Sequence, residues 1–456
     1  MKKYLIFGLL MAVFFTSCSV QKQINKAADK FLINDSALAT AHVGIALYNT
    51  ANKKIVYNHN GEKYFVPASN TKILTCYAAM KYLGDSLVGL KYDTSRVEEG
   101  MLYIEGTGDP TFLHPDFIRQ PVYDWLIKNV DKKFHLQDAN WQEKALGKGW
   151  NWDDYQEDYM AERSTFPVYG NVARFRLINN KIEASPPAFY NSSFQWKNET
   201  LEDTSFYPNF YFKIVRPFEN NDFHSLTQSS YGNKPFSQQT VPFKADYKTV
   251  TNLLSDTLHK EFAFADAIDF TSVIDFRLIL HPHIIHSQPT DSLLKIMMHR
   301  SDNFFAEQTL LMVSNELLNF MSDEKIIDTL LKTDFKDLPQ TPNWVDGSGL
   351  SRYNLISPQD FVTVLNKMKN NFSWNRISTI FATGGEGTLR IRYKNYVGKI
   401  YAKTGSLSDV ISLSGFITTN KKHNYIFSVM VNNHQTDETE VRDKIEKFIS
   451  TLIDKF

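Results

Sequence analysis

The sequence predicts an α+β fold. Three features of its patterning predict it: an alternating hairpin near the N-terminus, a cluster of strand segments after residue 399, and a C-terminal helix with one apolar face. From His42 to Asn49, the residues Val43, Ile45 and Leu47 fall on one side, and Lys54 to His59 returns after a short turn as the second strand. The period then changes. Ile73, Tyr77, Met80 and Leu83 recur at helical spacing in a helix that begins at Ser69, and Gly84 stops it. Between about 93 and 270 the chain is aromatic-rich, with short strands, a hairpin-like run at Ile178-Asn179-Asn180-Lys181 and a Pro186-Pro187 pair, and it reads as a β-rich insertion after that helix. An apolar strand is expected from Thr271, then helices between about Asp291 and Asn319. Strands follow near Lys399 to Lys403, Val410 to Thr418 and Tyr425 to Val431. The last helix presents Val441, Ile445, Phe448, Ile449, Leu452, Ile453 and Phe456 on one face, the spacing expected for packing on a sheet.

Composition limits the function. The 456 residues are 43% apolar and 22% charged, the balance of a folded protein with room for more than one core. Fifty basic residues match fifty acidic ones, so nothing in the net charge favours a nucleic acid. Residues 1–17 carry Lys2 and Lys3 before an apolar run from Tyr4 to Phe15 that is too short to span a bilayer, so they read as an export signal. The junction Phe15-Thr16-Ser17-Cys18 resembles a bacterial lipobox, with Phe15 where Leu is usual. It implies a lipid on Cys18, followed by a polar linker over 18–26; an ordinary secretory signal ending near Ser17 is the alternative. Either way the protein leaves the cytoplasm. Cys76, in an apolar helical stretch, is expected to be buried and inert, and two cysteines cannot build a disulfide scaffold or a Cys-based zinc site.

The chemistry begins with a Ser-x-x-Lys tetrad, which sets a hydroxyl and an amine one helical turn apart on one face, so that the amine can take the hydroxyl proton. It occurs four times, at Ser19/Lys22, Ser69/Lys72, Ser292/Lys295 and Ser322/Lys325. Only Ser69 heads a helix after a Pro-containing turn, Val66-Pro67-Ala68, where backbone N–H groups and the helix dipole favour developing negative charge. Two further elements follow in order: Ser301-Asp302-Asn303 between two helical segments, and Lys403-Thr404-Gly405-Ser406 at the end of a strand. Ser-x-Asn recurs at Ser373/Asn375, whereas Lys-Thr-Gly occurs once. The three together form the motif set of penicillin-recognising serine enzymes.

With these motifs the chain resembles the low-molecular-mass class C penicillin-binding proteins, which are serine D-Ala-D-Ala carboxypeptidases and endopeptidases. Gly106-Thr107-Gly108-Asp109-Pro110, Gly149-Trp150-Asn151-Trp152-Asp153-Asp154, Asp346-Gly347-Ser348-Gly349-Leu350-Ser351-Arg352 and Gly387-Thr388-Leu389-Arg390 are similar to the family's secondary signatures. The resemblance implies a β-lactamase/transpeptidase-like catalytic domain, an antiparallel sheet flanked by helices, over 27–92 and 271–456, with one or two nested inserted domains over 93–270. It implies Ser69 as nucleophile, Lys72 as base aided by Lys403, Ser301 as proton carrier to the leaving amine, and Asn303 as holder of the acyl donor's amide. Thr404 and Gly405 of the strand motif, with Ser406, line the substrate site, Thr404 suiting the terminal carboxylate. Backbone N–H groups of Ser69 and Ser406 are expected to form the oxyanion hole. Asp154 and Arg352 complement the ammonium and carboxylate of a diaminopimelate-type stem residue, with Tyr159 as an apolar wall; structural or solvated roles for the two charges are the alternative. The implied partners are peptidoglycan peptides, β-lactams as covalent inhibitors and a membrane reached through the N-terminal lipid, with no nucleic acid and no cofactor.

Other clusters take structural readings. Pro282 interrupts His281, His283 and His286, and no Glu completes a zincin motif, so no metal is expected. Ser348 between glycines reads as a tight turn, as does Gly384-Gly385-Glu386-Gly387. Glu316 reads as surface helix, not a deacylating acid, which argues against a β-lactamase. The intact motif set argues against a silent peptidoglycan-binding protein. Trp150 and Trp152 read as core of the insertion.

Overall fold

The computed structural model describes residues 21–94, 100–179, 181–190, 196–200, 212–227, 236–259 and 282–456. The export signal, Cys18, Asn180, His281 and the strand expected from Thr271 lie outside the described residues. Strand β1 (His42–Asn49) pairs antiparallel with β2 (Lys54–His59), forming the expected hairpin. A 3-10 turn, Ala68–Thr71, leads into α1 (Lys72–Tyr82), so the α-helix proper starts at Lys72 and Ser69 sits in the turn that introduces it. Then come β3 (Ser86–Asp93), β4 (Met101–Gly106), α2 (Pro121–Lys128) and β5 (Lys133–Gln137). After them run β6 (Val172–Ile178), β7 (Lys181–Ser185), β8 (Trp196–Thr200), β9 (Phe212–Val215), β10 (Phe223–Thr227), β11 (Phe236–Pro242) and α3 (Tyr247–Leu258). Strand β12 (His283–Pro289) runs into α4 (Thr290–Arg300), α5 (Asn303–Leu318) and α6 (Asp323–Lys332). The chain ends with α7 (Pro358–Asn371), α8 (Trp374–Ile380), β13 (Ala382–Thr383), β14 (Ile400–Leu407), β15 (Val410–Thr418), β16 (Asn424–Asn432) and α9 (Glu438–Lys455).

These elements fall into two compact units. One comprises Met1–Tyr77, Leu294–Asp302 and Ile327–Phe456. Its six-stranded sheet has the order β13-β14-β15-β16-β1-β2, with every neighbouring pair antiparallel. Val43, Ile45 and Leu47 lie opposite Val431, Val429 and Phe427 and share one core with Ile411, Leu413 and the α9 residues Val441, Ile445, Phe448, Ile449, Leu452 and Ile453. The amphipathic pattern of α9 is thus spent on the sheet, and truncating Phe448 to Ala would cost about 3–5 kcal/mol. One expectation is corrected here. Residues 21–26, read as linker, belong to a helical segment over 21–28 continued by a π-turn, Asp29–Ile33. Ile24, Ala27, Ala28 and Leu32, spaced by three and four, bury themselves in the same core; the polar residues between them mask the stripe.

The second unit comprises Ala78–Leu293 and Asn303–Ile326. It holds three small sheets, β12-β3-β4-β5, β11-β6-β7 and β8-β10-β9. The aromatic richness of this region goes into packing: Phe175, Phe189, Phe223 and Phe243 are fully buried, with ring centroids 5.0–5.1 Å apart. Its tryptophans behave otherwise. Trp152 is 70% exposed and Trp150 is half-buried with the Arg163 guanidinium 5.5 Å from its ring, so the expectation that both belong to the core is corrected. Phenylalanine, with no polar atom to satisfy, fills that core instead. Glu316 is exposed on α5, as expected of a surface helix residue, and Cys76 is buried. Among the described residues no helix is long and apolar enough to cross a membrane.

Candidate active site

Strand β14 organises the site through its alternation. Lys403 and Gly405 lie opposite Ser414 and Ser412, while Thr404 and Ser406 lie opposite Leu413 and Ile411 on the face that packs against α9. The first face meets the segment Val66–Thr71. Ser412 Oγ donates to the Pro67 carbonyl at 2.7 Å, and Asn70 Nδ2 donates to Ser414 Oγ at 2.7 Å. Asn432 accepts from Val66 N at 2.8 Å and returns a bond to the Val66 carbonyl at 3.1 Å. A side chain at position 405 would land on Ser412 Oγ and the Pro67 carbonyl, so only glycine lets the strand approach the turn this closely.

That turn is wound tightly. Ala68 adopts a left-handed φ of 49°, a strained conformation for a residue with a Cβ, immediately before Ser69. Lys72 is 0% exposed, and its Nζ donates to Ser69 Oγ at 2.9 Å and to the Ser348 carbonyl at 2.8 Å. Among the described Ser-x-x-Lys pairs the others are mundane: Lys295 and Lys325 are exposed, and Ser322 caps the backbone N–H of Lys325. Ser373 of the second Ser-x-Asn likewise caps α8.

Ser348 does stand in a tight turn, and the turn does more than reverse the chain. The buried Asp346 carboxylate accepts from Gly349 N at 2.8 Å, Ser351 N at 2.6 Å and Asn354 Nδ2 at 2.8 Å. This aims the Gly347 carbonyl at Thr75 Oγ1 and the Ser348 carbonyl at Lys72. Gly349, at a φ of 83°, lies where a Cβ would strike the Ala68 carbonyl.

The second lysine is equally enclosed. Lys403 is 0% exposed, and its Nζ donates to Ser301 Oγ at 2.8 Å and to the Thr404 carbonyl at 2.7 Å. Burial, and after it the positive charge of Lys72, push its ammonium well below the ordinary lysine range. Ser301 itself holds a left-handed φ of 62° between α4 and α5. A hydroxyl held by a lysine with a weakened grip on its proton is suited to passing protons.

The remaining expected residues fall into separate groups. Asn303, first residue of α5, belongs to the second unit, where its Nδ2 donates to the Tyr159 carbonyl at 3.3 Å. Burial and then a hydrogen bond to Asp154 push the Tyr159 phenol up to about 12, so Asp154, Tyr159 and Asn303 form one local cluster. Tyr159 thus presents a hydroxyl as well as a ring. In the first unit, Arg352 donates to the Ser408 carbonyl at 2.8 Å, and Ser406 Oγ accepts from Arg442 at 2.8 Å. Asn432, Ser412, Ser414 and Asp346 had no role assigned from sequence as supports of the turn and the lysine. Of these only Asp346, followed by Gly-Ser-Gly, carries a local turn signature.

A sheet flanked by helices that holds a serine against one buried lysine, with a second lysine on the adjoining strand, defines the class: a serine hydrolase with the β-lactamase/transpeptidase-like fold. The profile of the D-Ala-D-Ala carboxypeptidase 3 (S13) family matches residues 24–452, and the chain belongs to that family, as a low-molecular-mass class C penicillin-binding protein. It is 24% identical over 436 residues to the D-alanyl-D-alanine carboxypeptidase DacB of Haemophilus influenzae, covering 89% of this chain and 88% of that protein. The D-alanyl-D-alanine carboxypeptidase of Actinomadura sp. (strain R39) is 24% identical over 444 residues, covering 88% and 80%. The crystal structure of penicillin binding protein 4 from Haemophilus influenzae superposes with a TM-score of 0.73 at 20% identity, covering 94% of this chain and 98% of that one. Its complex with a β-lactam gives 0.69 at 19% identity, covering 91% and 97%. These superpositions establish the shared fold.

Proposed function

We propose that this serine D-Ala-D-Ala carboxypeptidase acylates through Ser69, with Lys72 as its base. The observation that carries the proposal is the 2.9 Å contact between Lys72 Nζ and Ser69 Oγ, made by a lysine with no solvent exposure. In the form in which Lys72 is the neutral member of the lysine pair, its amine takes the Ser69 proton as Oγ attacks the carbonyl of the penultimate D-alanine of a peptidoglycan stem. Backbone N–H groups of Ser69 and Ser406 receive the oxyanion, a contribution of about 2.7–4 kcal/mol per donor. Ser301, bonded to the proton-shedding Lys403, delivers a proton to the departing amine as the C–N bond breaks, and Asn303 holds the donor's amide. Water then releases the acyl group. Cutting a crosslink is the same step with a larger leaving amine, so endopeptidase action belongs to the same proposal. Asp154, bonded to Tyr159, would meet the free ammonium of a diaminopimelate-type residue, and Arg352 its carboxylate. The segments 27–92 and 271–456 would carry acylation, and 93–270 substrate choice.

A β-lactam offers the same carbonyl but leaves no free amine to depart, so its acyl-enzyme should persist. Fluorescent penicillin is expected to label the wild type and not Ser69→Ala. A label that survived the substitution, or moved to another serine, would remove Ser69 from its role. We further propose export and lipid attachment at Cys18, motivated by the Thr16-Ser17-Cys18 junction. Mass analysis of the mature N-terminus should find a lipidated Cys18, and an unmodified start elsewhere would refute it.

A further inference from the structure

Thr404 and Ser406 face away from the Lys403 side of their strand, and what they face is a cavity. Its volume is about 300 Å³, and it lies between β14, the loop 388–393 and the first turns of α9. The polar lining residues include Thr388, Arg390, Thr404, Ser406 and Arg442, and the apolar ones include Leu389, Ile411, Leu413 and Ile445. Arg392 also borders it but is committed elsewhere, donating to Asp443 at 2.7 Å and Glu446 at 2.9 Å. Arg442 is different. It donates to Ser406 Oγ at 2.8 Å and to the partly exposed Glu438 at 2.6 Å, one turn earlier on the same helix. Thr388 Oγ1 is shielded from solvent and has no hydrogen-bond partner within the protein.

Beyond Ala402, β14 loses its outer strand neighbour. Strand β13 pairs only with Tyr401 and Ala402, so among the described residues no strand covers the outer edge of β14 from Lys403 onward. A peptide lying along that edge can present one group to Ser69 on one face and another to Ser406 on the other.

We propose that Arg442 is the cation that recognises the terminal carboxylate of the leaving D-alanine, with Ser406 and Thr404 supplying hydroxyl hydrogen bonds. This rests on the acylation of D-Ala-D-Ala peptides through Ser69. Hydroxyls alone orient a carboxylate; a guanidinium adds a charge-assisted pair and planar geometry. The methyl group of the same residue has the apolar lining to rest on. Glu438 competes with the incoming carboxylate for Arg442, which makes the recognition weaker than an unopposed guanidinium would give.

The test compares an acyl-D-Ala-D-Ala peptide with its C-terminal carboxamide on the wild type, Arg442→Gln, Arg442→Lys and Glu438→Gln. Arg442→Gln should lower kcat/KM for the carboxylate peptide by about 10- to 100-fold and change the carboxamide less than about threefold. Arg442→Lys should recover part of the loss, and Glu438→Gln should raise kcat/KM on the carboxylate peptide alone. Binding of both peptides to Ser69→Ala by calorimetry gives a readout independent of turnover, and there too Arg442→Gln should weaken only the carboxylate peptide. Equal losses on both peptides, in turnover and in binding, would overturn the proposal and make Arg442 a support of β14. Acylation that persisted in Ser69→Ala would instead defeat the catalytic assignment, while the binding comparison would still decide Arg442.

Discussion

Two buried cations in this molecule have opposite surroundings. In the second unit Arg163, 2% exposed, bonds to Asp323 at 2.6 Å, Glu143 at 3.2 Å and Glu307 at 3.4 Å. Burial works against its charge, but the three carboxylates outweigh it and hold the guanidinium above its ordinary range. In the first unit Lys403 is as deeply buried, and its ammonium donates to a hydroxyl and a carbonyl. Burial, and after it Lys72, therefore weaken its hold on its proton. A buried cation surrounded by acids is a structural pin; one surrounded by neutral oxygens, beside another cation, is a proton carrier in waiting. The same physical quantity, charge without water, serves cohesion in one unit and, in the mechanism we propose, reactivity in the other.

Replacing each cation by methionine should pull the two apart. Lys403→Met is expected to slow penicillin acylation by about 10²- to 10⁴-fold, the range for losing acid–base assistance, while the urea midpoint near neutral pH holds or rises. The sign of the pH effect follows from the depressed pKa: between the folded and unfolded values the unfolded chain binds more protons. Wild-type stability therefore gains from Lys403 as pH rises towards the ordinary lysine pKa, and the variant lacks that gain. A variant that acylates normally would put Lys403 among the structural cations.

Arg163→Met should do the reverse. It strands three carboxylates and should cost about 3–5 kcal/mol of stability in urea titrations, with acylation per folded molecule retained. Glu143 already sits above the ordinary carboxylate range, because burial raises it first and Arg163 only partly restores it. Its folded form thus holds its proton more tightly than the unfolded chain does, and this contribution to stability falls as pH rises through that window. Without Arg163 the window widens upward, so the deficit of the variant should shrink between pH 7 and pH 5. A deficit independent of pH would show that packing, not charge, is what Arg163 supplies.

The smallest effect should come from a half-buried charge. Asp154→Ala is expected to reduce kcat/KM by about 10- to 100-fold on a peptide with a free diaminopimelyl ammonium and to leave an N-acetylated analogue nearly unchanged. Equal losses on both would make Asp154 a prop for Tyr159 instead of a reader of substrate.

Most of the lettering of the proposed site is legible in the sequence because it is local. A serine and a lysine one helical turn apart, or a lysine at a strand end, show in a few consecutive residues, and the alternation at Val43, Ile45 and Leu47 or the stripe on α9 shows in ten to twenty. What was illegible acts at a distance or through the backbone. Asn432, Ser412 and Ser414 look like any polar strand residues until the fold brings them to Val66, Pro67 and Asn70. The Ser348 carbonyl that steadies Lys72 has no side chain to betray it. Ile24, Ala27 and Leu32 form too sparse a stripe to be told from linker without the core they complete. Trp152 is exposed although aromatic content alone suggests burial, because phenylalanines fill that core.

The pairing of β1 with β16 sets the order in which this protein can mature. Ile45 finds its partner in Val429, so the central part of the sheet cannot close until nearly the whole chain exists. At about 5–20 residues per second, synthesis leaves the first strand waiting for tens of seconds, and its non-local pairing then closes slowly. For an enzyme that we propose is exported, this delay keeps the chain threadable. The turn carrying Ser69 also waits for its frame, since it is clamped by residues 412, 414 and 432. A chain cut short before Asn432 keeps its nucleophile and loses the frame that aims it.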